Sequence, residues 1–418
     1  MGIKPLILLE VSYPSISGGY RREYETLRHG RKHGINYIIL TDTSSYRNAL
    51  SIFPDFAKTL GNYKTYMREN KEDQTLIPIV EQLASYKAAY LSALDISRIA
   101  RREDADIIVS QSENPLSILK CYLAGKLCSK PWTVILQGFP IAGNLDYELV
   151  QKSSWRAFLE APRMKQIRRK YVSLIQMLLT LKILQKTVTL SASKSIPSEL
   201  KLFNRNLDVW DIDPPCGIDL HMIDETKPAE QSFDAFYFGR FIPSKGMYDL
   251  PLIWKKVTKE NPTAILGIAG PAIDREHVKR FFNLVQRHSL TKNIIYLGPL
   301  PHAEVIRFVK SSKVVIYPSR EDSFSMVVLE SLACGVPVVA FRSHALVVHY
   351  SDFTGVRLFP IHAFDEMASE ILTLIRNEVY RQHVLTNANY LVRRFSWDSV
   401  AQAELTAFEK VIQKFNRT

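Results

Sequence analysis

Short, almost wholly apolar runs alternate along this chain with longer stretches in which apolar residues recur every three or four positions. The first pattern is that of a buried strand and the second that of an amphipathic helix. In the first half, Pro5–Val11, Tyr37–Thr41, Ala105–Ser110 and Trp132–Leu136 predict strands. A basic helix is expected from Tyr20 to Lys32, closed by His33 and Gly34, and another carries Cys121 and Cys128. In the second half the expected strands are Asp234–Phe238, Ala264–Ile268, Asn293–Leu297, Val314–Tyr317 and Val336–Phe341. Helical spacing appears at Leu250, Ile253, Trp254 and Val257, at Ala303–Lys310, from near Ser325 to Gly335, and from Val400 to Phe415. Strands alternating with helices argue for parallel, doubly wound sheets, with ligands at the carboxyl ends of the strands.

Candidate chemistry gathers at such ends. After Tyr317 the chain reads Pro318, Ser319, Arg320, Glu321, Asp322, then Ser323-Phe324-Ser325-Met326 into a helix that carries Glu330 and stops at Gly335, with Pro337 beyond. Asp322 and Glu330 bracket seven residues, and eight helical steps separate them by about 12 Å at most. That span suits one acid on the sugar of a nucleotide-sugar and the other on its ribose. The free N–H groups of a helix starting near Ser325 suit a phosphate. Upstream, an aromatic strand runs into Gly239, Arg240, a loop, Lys245 and Gly246. Two cations five residues apart can reach one diphosphate, Arg as a fork and Lys as a point charge.

These segments resemble retaining glycosyltransferases of family 4, which have the two-domain GT-B fold. The resemblance rests on the acid-x7-Glu stretch through Phe324, Leu329, Glu330, Gly335 and Pro337, and on Gly239-Arg240 followed by Lys245-Gly246. The family carries Glu where Asp322 stands and Gly-Phe-Gly where Ser323-Phe324-Ser325 stands, so Glu321 remains a rival to Asp322 as the sugar-facing acid. The resemblance implies an α/β GT-B fold, two facing Rossmann-like doubly wound domains with the active site in the cleft. It implies an acceptor-side domain over 1–219, a nucleotide-sugar domain over 220–395, and a final helix, 396–418, crossing back to the first. Arg240 and Lys245 would hold the donor diphosphate, Asp322 the sugar hydroxyls and Glu330 the ribose. Gly239, Ser323, Phe324, Ser325 and Met326 would line the donor, and Leu300 would touch the base. The Gly18-Gly19 pair, which permits close backbone approach, would face the diphosphate in a loop. Gln137 stands where relatives often carry His near the donor sugar, and it keeps hydrogen-bonding capacity without acid–base chemistry near neutral pH. The segments Val188–Ser191 with Ser193, Pro214–Asp219 and Phe395–Asp398 resemble the family as well.

The implied reaction moves a sugar from a nucleoside-diphosphate sugar to an acceptor hydroxyl of a glycan or lipid-linked saccharide, with retention, no cofactor and no metal. A GT-B epimerase or hydrolase and a non-catalytic or partner-dependent subunit are the alternatives.

Composition adds less. The chain has 418 residues, 46% hydrophobic and 23% charged, enough for two cores of roughly 200 residues each. A short linker is expected around Asp219–Ser232. Cys121, Cys128, Cys216 and Cys334 show no metal-ligand spacing, and reduced intracellular thiols are the default. No secretory leader or spanning segment is expected, which points to the cytoplasm. The formal net charge is +12, from 54 Lys+Arg against 42 Asp+Glu. The excess is densest over 152–186, where Glu160 is the only acid, and it encloses the apolar run Tyr171–Leu184 with a narrow polar stripe at Ser173, Gln176 and Thr180. That run reads equally as a buried helix or as one lying on an anionic membrane face. Nucleic acid is the weaker partner, since no recognition motif or interleaved aromatics accompany the cations.

Overall fold

The computed structural model of the chain describes residues 2–10, 18–68, 78–138, 178–272 and 274–417. They form two compact units, Met1–Gly217 with Trp397–Thr418, and Ile218–Ser396.

The first unit is built on a sheet of seven described strands in the order β3-β2-β1-β4-β5-β6-β7. These are β1 (Pro5–Leu8), β2 (Ile38–Asp42), β3 (Lys64–Arg68), β4 (Ile107–Ser110), β5 (Trp132–Leu136), β6 (Thr189–Ser191) and β7 (Val209–Asp211), and every pairing is parallel. Side chains of a strand alternate between faces, and β1 shows it. Leu6 and Leu8 join a core with Ile96, Cys121, Leu181 and Leu184. Ile7 and Leu9 join another with Leu27, Phe408 and Val411. An apolar run with no polar face is what a sheet covered on both sides requires. The helix Trp397–Phe415 packs against the helix Gly18–Gly30. Between them Arg22, fully buried, donates to Glu404 at 2.8 Å and to the Pro215 carbonyl at 2.8 Å, and Tyr37 donates to the other Glu404 oxygen at 3.0 Å.

The second unit repeats the scheme with six described strands in the order β10-β9-β8-β11-β12-β13: β8 (Ala235–Phe238), β9 (Leu266–Ala269), β10 (Ile294–Gly298), β11 (Val314–Tyr317), β12 (Val338–Phe341) and β13 (Val356–Phe359). All are parallel. The expected doubly wound α/β class is observed in each unit. Winding reverses between β1 and β4 in the first and between β8 and β11 in the second, the switch points where such sheets bind ligands.

Two expectations need correction, and a third lies largely outside the described residues. Gly18 and Gly19 lie in the first turn of the helix Gly18–Gly30 and not in a loop, because nothing in their sequence forbids helix and an N-terminal turn tolerates Gly. The expected linker over Asp219–Ser232 opens with a helix, Leu220–Glu225, whose first turn Asp219 caps by accepting from the Met222 N–H at 2.9 Å. Most of 152–186 and of the run 171–184 lies outside the described residues. In the described part, 178–184, Thr180, Leu181 and Leu184 are buried while Leu178 and Leu179 are about half exposed. Thr180, the one residue of the polar stripe that is described, therefore sits inside. Among the described residues no helix is long and apolar enough to cross a membrane.

Candidate functional site

The carboxyl ends of β8 and β11 carry the two charged loops of the second unit. After β8 the chain turns at Gly239, with φ +133°, and an added Cβ there would stand 3.6 Å from Val327. Gly239 thus lies beside the first turn of the helix Met326–Ala333. Arg240 is fixed only at its backbone, where its carbonyl accepts from Tyr237 Oη at 2.9 Å. Its side chain is exposed and has no hydrogen-bonded or ionic partner among the described residues. The short 3-10 turn Pro243–Lys245 ends at Gly246, φ +80°, where a Cβ would come within 2.2 Å of the Pro318 carbonyl oxygen. Only glycine lets these loops meet so closely.

Where they meet, Lys245 Nζ donates to Asp322 Oδ1 at 2.7 Å and to the Glu321 carbonyl at 2.6 Å. Tyr317 Oη donates to the other Asp322 oxygen at 2.9 Å. Burial, then the Asp322 charge, pushes the Tyr317 phenol well above its ordinary value, so it stays a donor. Lys245 and Asp322, expected on separate parts of a ligand, are thus bonded to each other. Both oxygens of Asp322 are engaged, whereas an ammonium has three donors and two are used. The Arg320 backbone N–H reaches the Ser244 carbonyl at 3.0 Å, and its guanidinium reaches Asp249 at 2.7 Å. Burial outweighs that guanidinium and lifts the Asp249 carboxyl to about 6.

The remaining expected residues divide. Ser325, φ +75°, turns the chain into the helix, and its carbonyl accepts from Tyr350 Oη at 2.8 Å. Ser323 and Met326 are half-buried beside it. Glu330 is buried and pairs with His302 Nε2 at 2.8 Å, a partner that no motif announced. Leu300 is half-buried in the turn after Gly298. Phe324 does not line an open site. It is 3% exposed and packs against His349, Tyr350 and Phe395, because an aromatic ring at the start of a buried helix gains more from the core than from the rim.

In the first unit Gln137, just beyond β5, donates through Nε2 to Glu23 at 2.8 Å and to the Gln111 carbonyl at 3.2 Å. Glu23 is a site residue that the sequence reading missed; its signal was an acid on the inner face of a helix otherwise read as basic. Gly18 and Gly19 open that same helix. Cys121 and Cys128 are buried, and burial pushes the Cys334 thiol up to about 12 and the Cys216 thiol to about 11, so all four behave as small apolar residues. Among the described residues no group of three or more His, Cys, Asp or Glu side chains is placed to hold a metal.

The chain is similar to known proteins in part of its sequence and in its fold. Residues 221–391 match the family of group 1 glycosyl transferases. A D-inositol 3-phosphate glycosyltransferase of Gordonia bronchialis is 27% identical over 169 residues, 40% of this chain and 36% of that protein. The chain therefore matches about a third of that curated relative's length. Among solved structures, a glycosyltransferase from Rickettsia africae superposes with a TM-score of 0.69 at 15% identity over 99% of both chains. A sucrose-phosphate synthase from Thermosynechococcus elongatus gives 0.70 at 16% identity over the whole of both. The Anabaena protein HepE, solved in complex with UDP and glucose, gives 0.67 at 14% identity over 98% of this chain and 100% of its own. At such identities the likeness shows the fold alone, two Rossmann-like domains of the GT-B class.

Proposed function

We propose that the chain is a retaining glycosyltransferase that moves a sugar from a nucleoside-diphosphate sugar to an acceptor hydroxyl without a metal ion. The observation that carries this reading is the meeting of the Arg240–Gly246 and Arg320–Met326 loops at the switch point of the second unit. The exposed guanidinium of Arg240, the third donor of Lys245 and the free N–H groups at Met326 offer a cationic cradle of diphosphate size. The match to group 1 glycosyl transferases over 221–391 and the UDP held by the Anabaena neighbour support it.

In this reading Asp322 is a positioning residue that holds Lys245 at the leaving group. Glu321, one residue earlier, is then the acid that meets the sugar, and Glu330 with His302 meets the ribose. Charge developing on the departing diphosphate would be stabilised by donors already in place, the largest contribution such a site can make. The diphosphate itself takes the acceptor proton on the face it leaves, so no separate base is required.

A thermal-shift screen against UDP-, GDP-, ADP- and dTDP-sugars tests the reading, since a ligand of the folded state alone raises Tm by mass action. One nucleotide class should stabilise the wild type and fail to stabilise Arg240→Ala. Turnover with that donor should survive a chelator. No shift with any donor would remove the transferase reading in favour of a partner-dependent subunit, and activity lost to chelator and restored by Mg2+ would remove metal independence.

A further inference from the structure

Gln111 follows β4 directly and therefore stands at the switch point of the first unit's sheet. It is 2% exposed, yet neither the nitrogen nor the oxygen of its side-chain amide has a hydrogen-bond partner among the described residues. Beside it, Gln137 Nε2 bridges the Gln111 carbonyl and Glu23 Oε1. The other oxygens of that bridge, Gln137 Oε1 and Glu23 Oε2, are buried without partners among the described residues as well. Four orphaned polar atoms on three different elements are not repaired by turning one side chain. Other buried side-chain atoms are left open too, Thr41 Oγ1 and Trp254 Nε1 among them, but an amide open at both ends beside two further open oxygens is a concentration that can serve function.

We propose that Gln111, Gln137 and Glu23 form a subsite for a vicinal diol of a saccharide or polyol. Each hydroxyl of a diol both donates and accepts, as the set requires: the Gln111 amide gives to one hydroxyl and takes from the next, while Gln137 Oε1 takes from a third position or a shared one. Phosphate fits poorly, because it brings mainly acceptors, where Gln111 Oε1, Gln137 Oε1 and Glu23 Oε2 are themselves acceptors in need of donors. An apolar ligand would leave all four atoms unpaired. Burial first, then Glu113, pushes the Glu23 carboxyl well above its ordinary value, against the opposing pull of Gln137 and Arg22. Glu10 adds a little in the same upward direction and is itself paired with Lys120 at 3.0 Å. When protonated, the Glu23 carboxyl supplies one more donor. The site is polar and buried and offers both donor and acceptor capacity, which selects hydroxyls over ions.

The subsite deepens the transferase reading and rests on it only for the expectation that the second substrate is a saccharide or polyol. Saturation-transfer NMR on the full chain, with methyl glucoside, methyl galactoside, methyl mannoside and myo-inositol as probes, tests it. At least one probe should show contact in the wild type, and Gln111→Leu should bind it about ten- to a hundredfold more weakly, the loss of one or two buried hydrogen bonds. The same variant should raise Tm by about 2–4 °C, since it removes an unpaired buried amide at nearly constant volume. Glu23→Gln, which keeps the shape and a neutral donor, should retain binding. No contact with any probe, wild-type binding by Gln111→Leu, or a Tm lowered by it would overturn the proposal. UDP-induced stabilisation measured alongside separates the two readings: a chain that binds the diol probe and no nucleotide keeps the subsite and loses the transferase.

Discussion

At the carboxyl edge of β8 and β11, Lys245, Asp322 and Tyr317 satisfy one another, Arg320 answers Asp249, and His302 answers Glu330. At the matching edge of β1 and β4, Gln111 keeps both ends of its amide open and Glu23 keeps one oxygen open. The topology is shared and the emphasis of the polar accounting differs: the second unit pairs its charged groups with one another, though Asp249 Oδ2, Arg320 Nε and Ser325 Oγ stay open among the described residues, whereas the first leaves a whole amide open. In the second unit the mutual pairing fixes the loops in advance and leaves Arg240 as the cation exposed to a ligand. In the first unit the missing partners make the ligand part of the polar network. A preformed cradle suits a charged group that must meet donors without rearrangement; open hydrogen-bond capacity suits a neutral, hydroxylated one that is chosen by matching.

That contrast can be broken, and the largest effect lies where the first unit does pair a charge. Glu404→Ala strands Arg22, whose side chain is 1% exposed; a buried charge without its partner costs about 3–5 kcal/mol, which chemical denaturation should report. A wild-type midpoint would mean that this interior tolerates unpaired charge, and the open Gln111 would then carry no special meaning. Next comes Lys245→Ala. The Lys245 and Asp322 side chains are 11% and 9% exposed, so the loss should be smaller, about 2–3 kcal/mol, and nucleotide affinity should fall with it. Third is a pH dependence. Asp249 is lifted to about 6, above its unfolded value near 4. Its folded form therefore binds the extra proton, and its contribution to stability declines as pH rises from about 4 to about 6. Asp249→Asn should flatten that part of the stability–pH curve, and an unchanged slope would show that Arg320 holds the carboxylate ionised. Smallest in stability is Arg240→Ala: an exposed side chain without partners among the described residues should change stability by no more than about 0.5 kcal/mol. If its stability loss matches that of Lys245→Ala, the division between a preformed frame and a ligand-facing cation fails.

Much of this was legible in the chain because central strands of covered parallel sheets are apolar throughout. β1, β4, β8 and β11 announce themselves in that way, and with them both switch points. The rim strands do not. β3 reads Lys64-Thr65-Tyr66-Met67-Arg68 and is half exposed, so no apolar run marks it, and β13 is half-buried over most of its length. Motif spacing located the loops of Arg240, Lys245, Asp322 and Glu330, but not which of them bond to each other, since that depends on contacts between residues 77 positions apart. Glu321 and Asp322 stayed rivals in sequence for the same reason, since spacing does not show that Asp322 pairs with Lys245 and Tyr317. Phe324 sits inside a motif and was read with it, although its ring belongs to the core. Gln111 had no motif at all, and a buried amide is invisible until burial is known.

The first unit is assembled from two stretches of chain with the entire second unit between them. Arg22 and Glu404 are 382 positions apart, and translation at ordinary speed puts about 20–75 s between them. Until the last helix is made, Arg22 lacks its carboxylate and the face around Leu27 lacks Phe408 and Val411. The second unit, contiguous from Ile218 to Ser396, has all of its strands before then. On the ribosome the order of completion is therefore the reverse of the order of synthesis: the half made first waits for the half made second, and a chaperone holding the nascent chain would find its client at the amino-terminal end.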